Sequence, residues 1–468
     1  MEYMYSLTAR RDPGFGQCSR SSSILSLVAI AIMQYSIATS FAAAQTMRGG
    51  HYKETVLHRF TGLNRDGANP LANPLALDVL GNVFGTTANG GAYDRGSIFE
   101  RASSGKLQVL HSFSGTKSDG QQPLGQLAMD ANGAIYGTTW IGGQYQYGTI
   151  FKVAANDGIG RDRAVKFTTL YSFTNSTDGG DPSSGVILDS AGNLYGVTWN
   201  GGANGDGTLF QFTPGGQLNV LYNFGSNSSD GGFALGLAMD AQGNIYGTDL
   251  LGGPYENSNC LQTSWVPDFG CGVVFKIDSS GQETLLHVFS GVDGDGGSPA
   301  GPPILDSAGN LYGTTLVGGA GSCQGSSFPT GGCGTVFEID AEGNYTVLYS
   351  FPGTGSDGAG PVGSLVMDSE RNFYGATEDG GSGSCAASGA AGGGYYTGYP
   401  GCGVAFKLDA KGTERVLHRF SGLKDGGNPE SGLVAVSAPI VYGTTYSGGD
   451  ITGCGSGYGC GTVFKLQK

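Results

Sequence analysis

Seven acidic side chains recur in a context that could support chemistry. Each aspartate stands directly before a glycine: Asp66, Asp119, Asp178, Asp230, Asp293, Asp357 and Asp425. Carboxylates that converge can bind a cation, or act as a general acid and base. The same residue type also closes tight turns by accepting backbone hydrogen bonds. Because the aspartate is repeated along the whole chain, this structural role is favoured.

Two carboxylates lie one residue apart in the segment Asp293-Gly-Asp295. A calcium loop needs more oxygen ligands at fixed spacing than this segment supplies. We therefore predict no cofactor, and calcium bound by Asp293 and Asp295 is the alternative.

Aromatic residues gather in the stretches whose length varies most along the chain. The residues predicted to bind a ligand are Trp140, Trp199, Trp265, Tyr145, Tyr255, Tyr396 and Tyr446. Exposed rings beside polar groups suit flat apolar surfaces such as sugar faces or peptide segments. Packing of the variable stretches onto the body of the protein is the alternative role.

Eight of the nine cysteines form four neighbouring pairs, and the ninth is Cys18 near the N-terminus. The pairs are Cys260 with Cys271, Cys323 with Cys333, Cys385 with Cys402, and Cys454 with Cys460. Each pair brackets one long variable stretch, which predicts four local disulfides, each stabilising by roughly 2–3 kcal/mol. Metal ligation would require C-x-x-C spacing or added histidines, and the pairs have neither.

Histidine and tyrosine share one position of a recurring string. That position is occupied by His58, His111, His287 and His418, and by Tyr171, Tyr222 and Tyr349. Interchange of the two residue types indicates packing rather than catalysis. The sequence contains no G-x-S-x-G elbow, H-E-x-x-H motif or phosphate loop. No catalytic residue is predicted, and a non-enzymatic role is favoured.

The elements that position these residues come from one unit written seven times. The third copy reads FTTLYSF, SSGVILD, NLYGVTW and GTLFQF, which we label strands d, a, b and c. All four are short, rich in aromatic and β-branched residues, and bounded by turn residues. The copies differ in length mainly between strands b and c, so a fixed core carries variable loops.

Seven units of four antiparallel strands predict an all-β fold, a seven-bladed β-propeller. The 88 glycines among 468 residues disfavour a helical protein. The first unit opens with a d strand at 55–60, whereas the last ends with a c strand at 461–466. We expect strand 55–60 to close the ring by joining the C-terminal blade, which also removes an exposed sheet edge. An open or two-domain β array is the alternative.

The repeated strings resemble a known family. The succession L-Y-S-F, D-G-x-x-P, L-D-S-A-G-N-L-Y-G-T-T, G-G and G-T-V-F-K is similar to the Gloeo/Verruco (GloVer) repeat of secreted bacterial proteins. The resemblance covers about 55–468. It implies an exported repeat protein, and it implies no known activity and no catalytic residue.

The N-terminal segment has the order of a secretory signal peptide. Arg10, Arg11 and Arg20 precede the apolar run 24–33, and the small residues at 42–44 suit cleavage. We predict a signal peptide at 1–44, a leader segment at 45–54 and the propeller at 55–468. An uncleaved membrane anchor is the alternative. The predicted location is extracellular or periplasmic, with no membrane span after cleavage.

The sequence favours a secreted propeller that binds a glycan or a protein on the face formed by the b–c and d–a links. The net charge of −14 disfavours nucleic acid as a partner. We expect a monomer. Two alternatives stay open: an extracellular polysaccharide hydrolase or lyase that uses carboxylates at the channel mouth, and a structural cell-surface protein.

Overall fold

The computed structural model describes residues 52–468 with gaps. The gaps are 64–65, 72–73, 156–164, 227–229, 254–259, 261–269, 293, 324–331, 354–356, 384, 386–399, 438–439, 451–453 and 455–458. Between these gaps the chain contains strands and turns and no α-helix. Accordingly, no helix in the described ranges is long and apolar enough to span a membrane. The predicted signal peptide and residues 45–51 lie outside the described residues.

The described residues form short strands throughout. In chain order these are β1 (Lys53–Arg59), β2 (Gly67–Ala68), β3 (Ala76–Leu77), β4 (Val83–Thr87), β5 (Asn89–Gly90), β6 (Ser97–Arg101), β7 (Leu107–Ser112), β8 (Gly120–Met129), β9 (Ile135–Gly142), β10 (Thr149–Ala155), β11 (Val165–Ser172), β12 (Ile187–Leu188), β13 (Leu194–Val197), β14 (Thr208–Phe212), β15 (Leu218–Asn223), β16 (Gly231–Met239), β17 (Ile245–Gly252), β18 (Val273–Ile277), β19 (Glu283–Val288), β20 (Gly296–Pro299), β21 (Ile304–Leu305), β22 (Leu311–Gly318), β23 (Thr335–Ile339), β24 (Tyr345–Ser350), β25 (Gly358–Met367), β26 (Phe373–Gly380), β27 (Val404–Leu408), β28 (Glu414–Arg419), β29 (Val434–Ser437), β30 (Ile440–Thr445) and β31 (Thr462–Gln467).

The strands pair as seven antiparallel blades. In the order a, b, c, d, blades one to seven are β3-β4-β6-β7, β8-β9-β10-β11, β12-β13-β14-β15, β16-β17-β18-β19, β20/β21-β22-β23-β24, β25-β26-β27-β28 and β29-β30-β31-β1. Strands β2 and β5 pair separately as a small ribbon. This arrangement confirms the predicted seven-bladed propeller.

The seventh blade is completed by the first strand. β1 pairs antiparallel with β31, and Val56 lies opposite Phe464. The closure predicted for 55–60 is therefore confirmed, although the strand itself spans Lys53–Arg59. Pairing of the two ends of the propeller leaves no unpaired c strand as an open edge.

Buried phenylalanines join neighbouring blades. The phenylalanine after each d strand packs on the c-strand phenylalanine of the next blade, as Phe113 does on Phe151 with ring centroids 5.5 Å apart. The corresponding pairs are Phe60–Phe99, Phe173–Phe210, Phe224–Phe275, Phe289–Phe337, Phe351–Phe406 and Phe420–Phe464. These side chains are fully buried. The most regular string in the sequence thus forms the joints of the ring.

Glycine before each c strand lets the blades approach closely. A Cβ on Gly96 would lie 2.6 Å from Cδ of Pro123, the proline of the next blade's D-G-x-x-P segment. The same contact recurs in the pairs Gly148–Pro182, Gly272–Pro299, Gly334–Pro361, Gly403–Pro429 and Gly461–Pro70. The last pair joins blade seven to blade one. The repeated glycine of one blade therefore packs against the repeated proline of the next blade throughout these six pairs.

Replacing Gly461 by Ala is expected to destabilise the ring at its closure. A Cβ there would lie 2.6 Å from Pro70 Cδ and closer still to the carbonyl oxygen of Thr445, and the backbone has a φ of 85°. Gly243→Ala is the matched control, because its φ is 82° and nothing lies within 4 Å of the added Cβ. The free energy of unfolding of the control should fall by about 1–2 kcal/mol from backbone strain alone. Gly461→Ala should lose about 1–3 kcal/mol more. Urea unfolding of both variants measures the difference, and equal losses would contradict a tightly packed closure.

Candidate functional site

The aspartates of the d–a links bind their own links. The Asp119 carboxylate accepts hydrogen bonds from the Ser114 backbone N–H at 2.8 Å and from its hydroxyl at 2.9 Å. It also lies 3.2 Å from Nε2 of His111. Burial alone would raise the pKa of Asp119, but hydrogen bonds from His111 and Ser114 hold it below its usual value. This carboxylate stabilises the turn as an anion.

The same arrangement recurs in all seven blades. The other pairs are His58–Asp66, His287–Asp295, His418–Asp425, Tyr171–Asp178, Tyr222–Asp230 and Tyr349–Asp357. Histidine and tyrosine interchange because either ring packs edge-on against the following phenylalanine, as in His58–Phe60, and points a polar atom at the aspartate. The shared position therefore has a structural reason.

In the link before blade five, the aspartate paired with the histidine is Asp295. The Asp295 carboxylate lies 3.2 Å from Nε2 of His287 and accepts the Ser290 backbone N–H at 2.8 Å. Asp293 lies outside the described residues. The histidine of this link thus pairs with the second of two D-G steps, and the spacing to glycine alone cannot distinguish the two steps. Among the described residues, no three His, Cys, Asp or Glu side chains are placed to hold a metal ion.

Four disulfides brace the long b–c loops. The bonds are Cys260–Cys271, Cys323–Cys333, Cys385–Cys402 and Cys454–Cys460, which confirms the predicted pairing. The carbonyl of the second cysteine accepts an N–H from the next blade, as Cys271 does from Ser298 at 2.6 Å. The end of each loop at its second cysteine is thus held against the next blade. Disulfides persist in oxidising compartments, so these four indicate an extracellular or periplasmic environment.

Two predicted aromatic residues meet at the joint of blades two and three. The indoles of Trp140 and Trp199 are nearly parallel, with an interplanar angle of 17° and centroids 6.1 Å apart. Both side chains are half-buried. Tyr145 and Tyr147 on the b–c loop of blade two are 48 % and 37 % exposed. This joint presents an aromatic surface on the b–c/d–a face.

Tyr446 belongs to another joint. It is half-buried in blade seven, and its backbone N–H donates to the Asn428 carbonyl at 2.9 Å. The predicted residues Trp265, Tyr255 and Tyr396 lie outside the described residues. The structure therefore brings together Trp140 and Trp199, and it places Tyr446 elsewhere on the ring.

A carboxyl and an amide that the sequence analysis did not single out lie at the same joint as the tryptophans. The backbone carbonyl of Asp181 accepts the backbone N–H of Trp199 at 3.1 Å. The backbone N–H of Asp181 donates to the backbone carbonyl of Tyr147 at 2.9 Å. The Asn200 side chain donates to the Asp181 carboxylate at 2.8 Å. Burial raises the pKa of Asp181 despite this bond.

A signal for Asp181 was present in the repeats. Equivalent positions before the proline hold uncharged residues: Asn69, Gln122, Ser298, Gly360 and Asn428. Asp181 is the acidic residue among these positions, so aligning the seven repeats with one another distinguishes it.

A second concave feature lies on the ring axis. Residues from all seven blades surround a cavity of about 90 Å³. The fifth residue after each link aspartate lines it, and in blades one to six these are Leu71, Leu124, Ser183, Leu235, Ala300 and Val362. In blade seven the same position is Glu430, and Glu378 of blade six also lines the cavity.

Comparison with known proteins gives a family match and distant structural likeness. The model of the Gloeobacter/Verrucomicrobia repeat matches residues 38–261 and 259–390. A comparison with curated proteins gives no match.

Three solved structures are similar at low identity. One is a polysaccharide lyase, an ulvan lyase: 11 % identity, 88 % of this chain and 95 % of that chain, TM-score 0.47. A second is an aldose sugar dehydrogenase from Streptomyces coelicolor. It is 12 % identical, the match covers 89 % of this chain and 98 % of that chain, and the TM-score is 0.40. A third is a gluconolactonase from Xanthomonas campestris. It is 12 % identical, the match covers 73 % of this chain and 85 % of that chain, and the TM-score is 0.38. These values carry no conclusion about activity, and the propeller assignment rests on the strand pairing.

Proposed function

This chain belongs to the Gloeobacter/Verrucomicrobia repeat family, whose model matches most of its length, and we propose that it is a secreted propeller that binds a glycan. The proposed binding site lies on the b–c/d–a face, at the joint of blades two and three. The near-parallel pair of Trp140 and Trp199 carries the proposal.

The chemistry of this joint suits a sugar ring. The two half-buried indoles offer flat apolar surface to the C–H face of a pyranose. Removing such apolar surface from water lowers the free energy of the complex. The Asp181 carboxyl and the Asn200 amide, bonded at 2.8 Å, add acceptors and donors for hydroxyl groups beside the rings. A few polar groups next to an aromatic surface are typical of small-ligand sites.

The competing proposal, a polysaccharide hydrolase or lyase, needs carboxylates available for proton transfer. The link aspartates instead accept hydrogen bonds from their own links, as Asp119 does from Ser114 and Gly120. In four of these links, hydrogen bonds also lower the pKa of the carboxyl and keep it ionised rather than poised to donate a proton. These are Asp66, Asp119, Asp295 and Asp425. These observations support binding without turnover.

A glycan array probed with the mature protein, followed by calorimetry on the best glycan, tests the proposal. Trp140→Ala and Trp199→Ala should each weaken binding about 30-fold, as expected for loss of an aromatic contact worth about 2 kcal/mol. Tyr93→Ala is the matched control, since Tyr93 is 61 % exposed on the b–c loop of blade one, and it should leave affinity unchanged.

Three outcomes would overturn the proposal. One is glycan binding that survives the loss of both tryptophans. Another is the absence of any glycan ligand, which would favour a protein ligand or a structural role. The third is release of new sugar ends that is lost on Asp119→Asn, which would establish the enzymatic alternative.

A further inference from the structure

Glu430 breaks the pattern of the axial cavity. The equivalent residues of the other blades are leucine, valine, alanine or serine, so six blades present small or apolar side chains to the axis. Blade seven presents a carboxyl at the same place. An ionisable group in such surroundings is costly unless something compensates its charge.

One oxygen of the Glu430 carboxyl has no hydrogen-bond partner in the protein. This oxygen is the buried Oε2 atom. The second acidic group that lines the cavity, Glu378, is 2 % exposed, and the neighbouring Asp379 is 2 % exposed. No lysine, arginine or histidine is among the described residues that line the cavity. The cavity therefore combines two carboxyl groups with an unused acceptor atom.

We propose that the axial cavity binds a small primary ammonium ion, with its N–H groups on the Glu430 and Glu378 carboxyls. Its alkyl part would lie against Leu71, Leu124 and Val362. A cavity of about 90 Å³ admits only a few non-hydrogen atoms. An ammonium group fits better than a bare metal ion, because the described residues offer no set of three metal ligands. This site is separate from the tryptophan pair and does not depend on glycan binding.

The protonation of Glu430 gives the site a distinct signature. Burial, and then the nearby Asp379, raise the pKa of Glu430 to about 8. Without a cation the carboxyl keeps its proton at neutral pH, so an incoming ammonium ion must displace that proton. Apparent affinity should therefore fall about tenfold for each pH unit below about 8.

Thermal unfolding of the mature protein in ethylammonium chloride tests the inference. Sodium chloride at equal ionic strength and ethanol at equal concentration serve as references. We expect a saturable rise in Tm with ethylammonium and with neither reference. The rise should be larger at pH 8.5 than at pH 6.5, because these two pH values lie on either side of the Glu430 pKa of about 8. Calorimetry at both pH values measures binding directly and reports the released proton.

Two variants separate this site from general effects. Glu430→Leu copies the residue of blades one, two and four, so it should fold and lose the response to ethylammonium. Glu414→Gln is the control: its pKa is also raised to about 8, but it does not line the cavity, and the response should persist.

The inference fails if ethylammonium acts no differently from sodium. It also fails if ethanol gives the same rise, which would indicate a cavity filled by apolar groups alone. An unchanged response in Glu430→Leu would place the binding elsewhere. Glu430→Gln is a second variant with nearly the same shape, and it should also abolish the pH dependence of binding.

Discussion

Replacing Asp249 by Thr is expected to raise the free energy of unfolding at pH 8 by about 1–3 kcal/mol. Asp249 is 0 % exposed, and neither carboxylate oxygen has a hydrogen-bond partner. Burial, and then Asp230 and Glu283, raise the pKa of Asp249 well above its usual value. The residue is thus a buried acid that its surroundings do not stabilise as an anion.

The other repeats show why Thr should fit. Asp249 occupies the last position of the Y-G-T-T string, where the other six units have Thr. That hydroxyl donates to the carbonyl two residues on, as Thr377 does to Asp379 at 2.8 Å. Blade six is the closest precedent, because Thr377 faces Val404 just as Asp249 faces Val273. Asp249→Thr therefore gives blade four an arrangement that already exists elsewhere in the ring.

The reverse change is the control. Thr315→Asp places a carboxyl at the same position of blade five, where Thr315 is 0 % exposed and donates to the Val317 carbonyl at 3.0 Å. An uncompensated buried charge should cost about 3–5 kcal/mol. Guanidinium unfolding at pH 8 measures both variants. Destabilisation by Asp249→Thr would contradict the prediction and would indicate that the carboxyl has a partner.

The free energy of unfolding is expected to be highest near pH 5 and to fall as the pH rises towards 9. Three glutamates have raised pKa values: about 7 for Glu283, and about 8 for Glu414 and Glu430. Burial is the largest cause in each, followed by Asp230, Asp357 and Asp379 respectively. In the unfolded chain these groups titrate at about 4.5.

The sign follows from proton uptake. Between pH 4.5 and 8 the folded chain keeps protons that the unfolded chain has lost, so stability falls as the pH rises through this window. All three side chains are half-buried. Solvent screening therefore limits the contribution of each to the order of 1–4 kcal/mol.

The acid side of the profile has the opposite cause. The link aspartates with lowered pKa values are Asp66, Asp119, Asp295 and Asp425. Although burial opposes ionisation, hydrogen bonds from the paired histidine and the backbone of the link outweigh it. Their stabilisation is present above pH 3.8 and is lost as the pH falls through the lowered values.

Urea unfolding from pH 3 to pH 9 measures the whole profile. Glu414→Gln should flatten the fall between pH 5 and pH 8, the range just below its raised pKa of about 8, while leaving the acid limb unchanged. Asp119→Asn should instead weaken the acid limb. A profile that rises from pH 5 to pH 8 would contradict the raised pKa values of the three glutamates.

The repeats alone were sufficient to predict the ring. Four short strands per unit, an unpaired d strand at the start and an unpaired c strand at the end allow closure by β1 on β31. The disulfides could also be predicted, because each pair brackets one loop and a local bond needs no knowledge of distant contacts. These features depend on neighbours within one unit, or on a rule repeated seven times.

The sequence was less sufficient where residues of different blades meet. Trp140 and Trp199 were both named, but only blade packing sets their rings at 17° to one another. Choosing Asp295 over Asp293 required the position of His287.

Glu430 and Asp249 are visible in the sequence as departures from the repeat, and yet their significance is tertiary. Whether a carboxyl is solvated or buried without a partner depends on what the neighbouring blades place around it. The sequence by itself determined the repeated unit, its strands and the closing of the ring, because local pattern and periodicity encode them. Only the tertiary structure decided which exceptional side chains share a cavity or a joint, since that depends on burial and on distances across the ring.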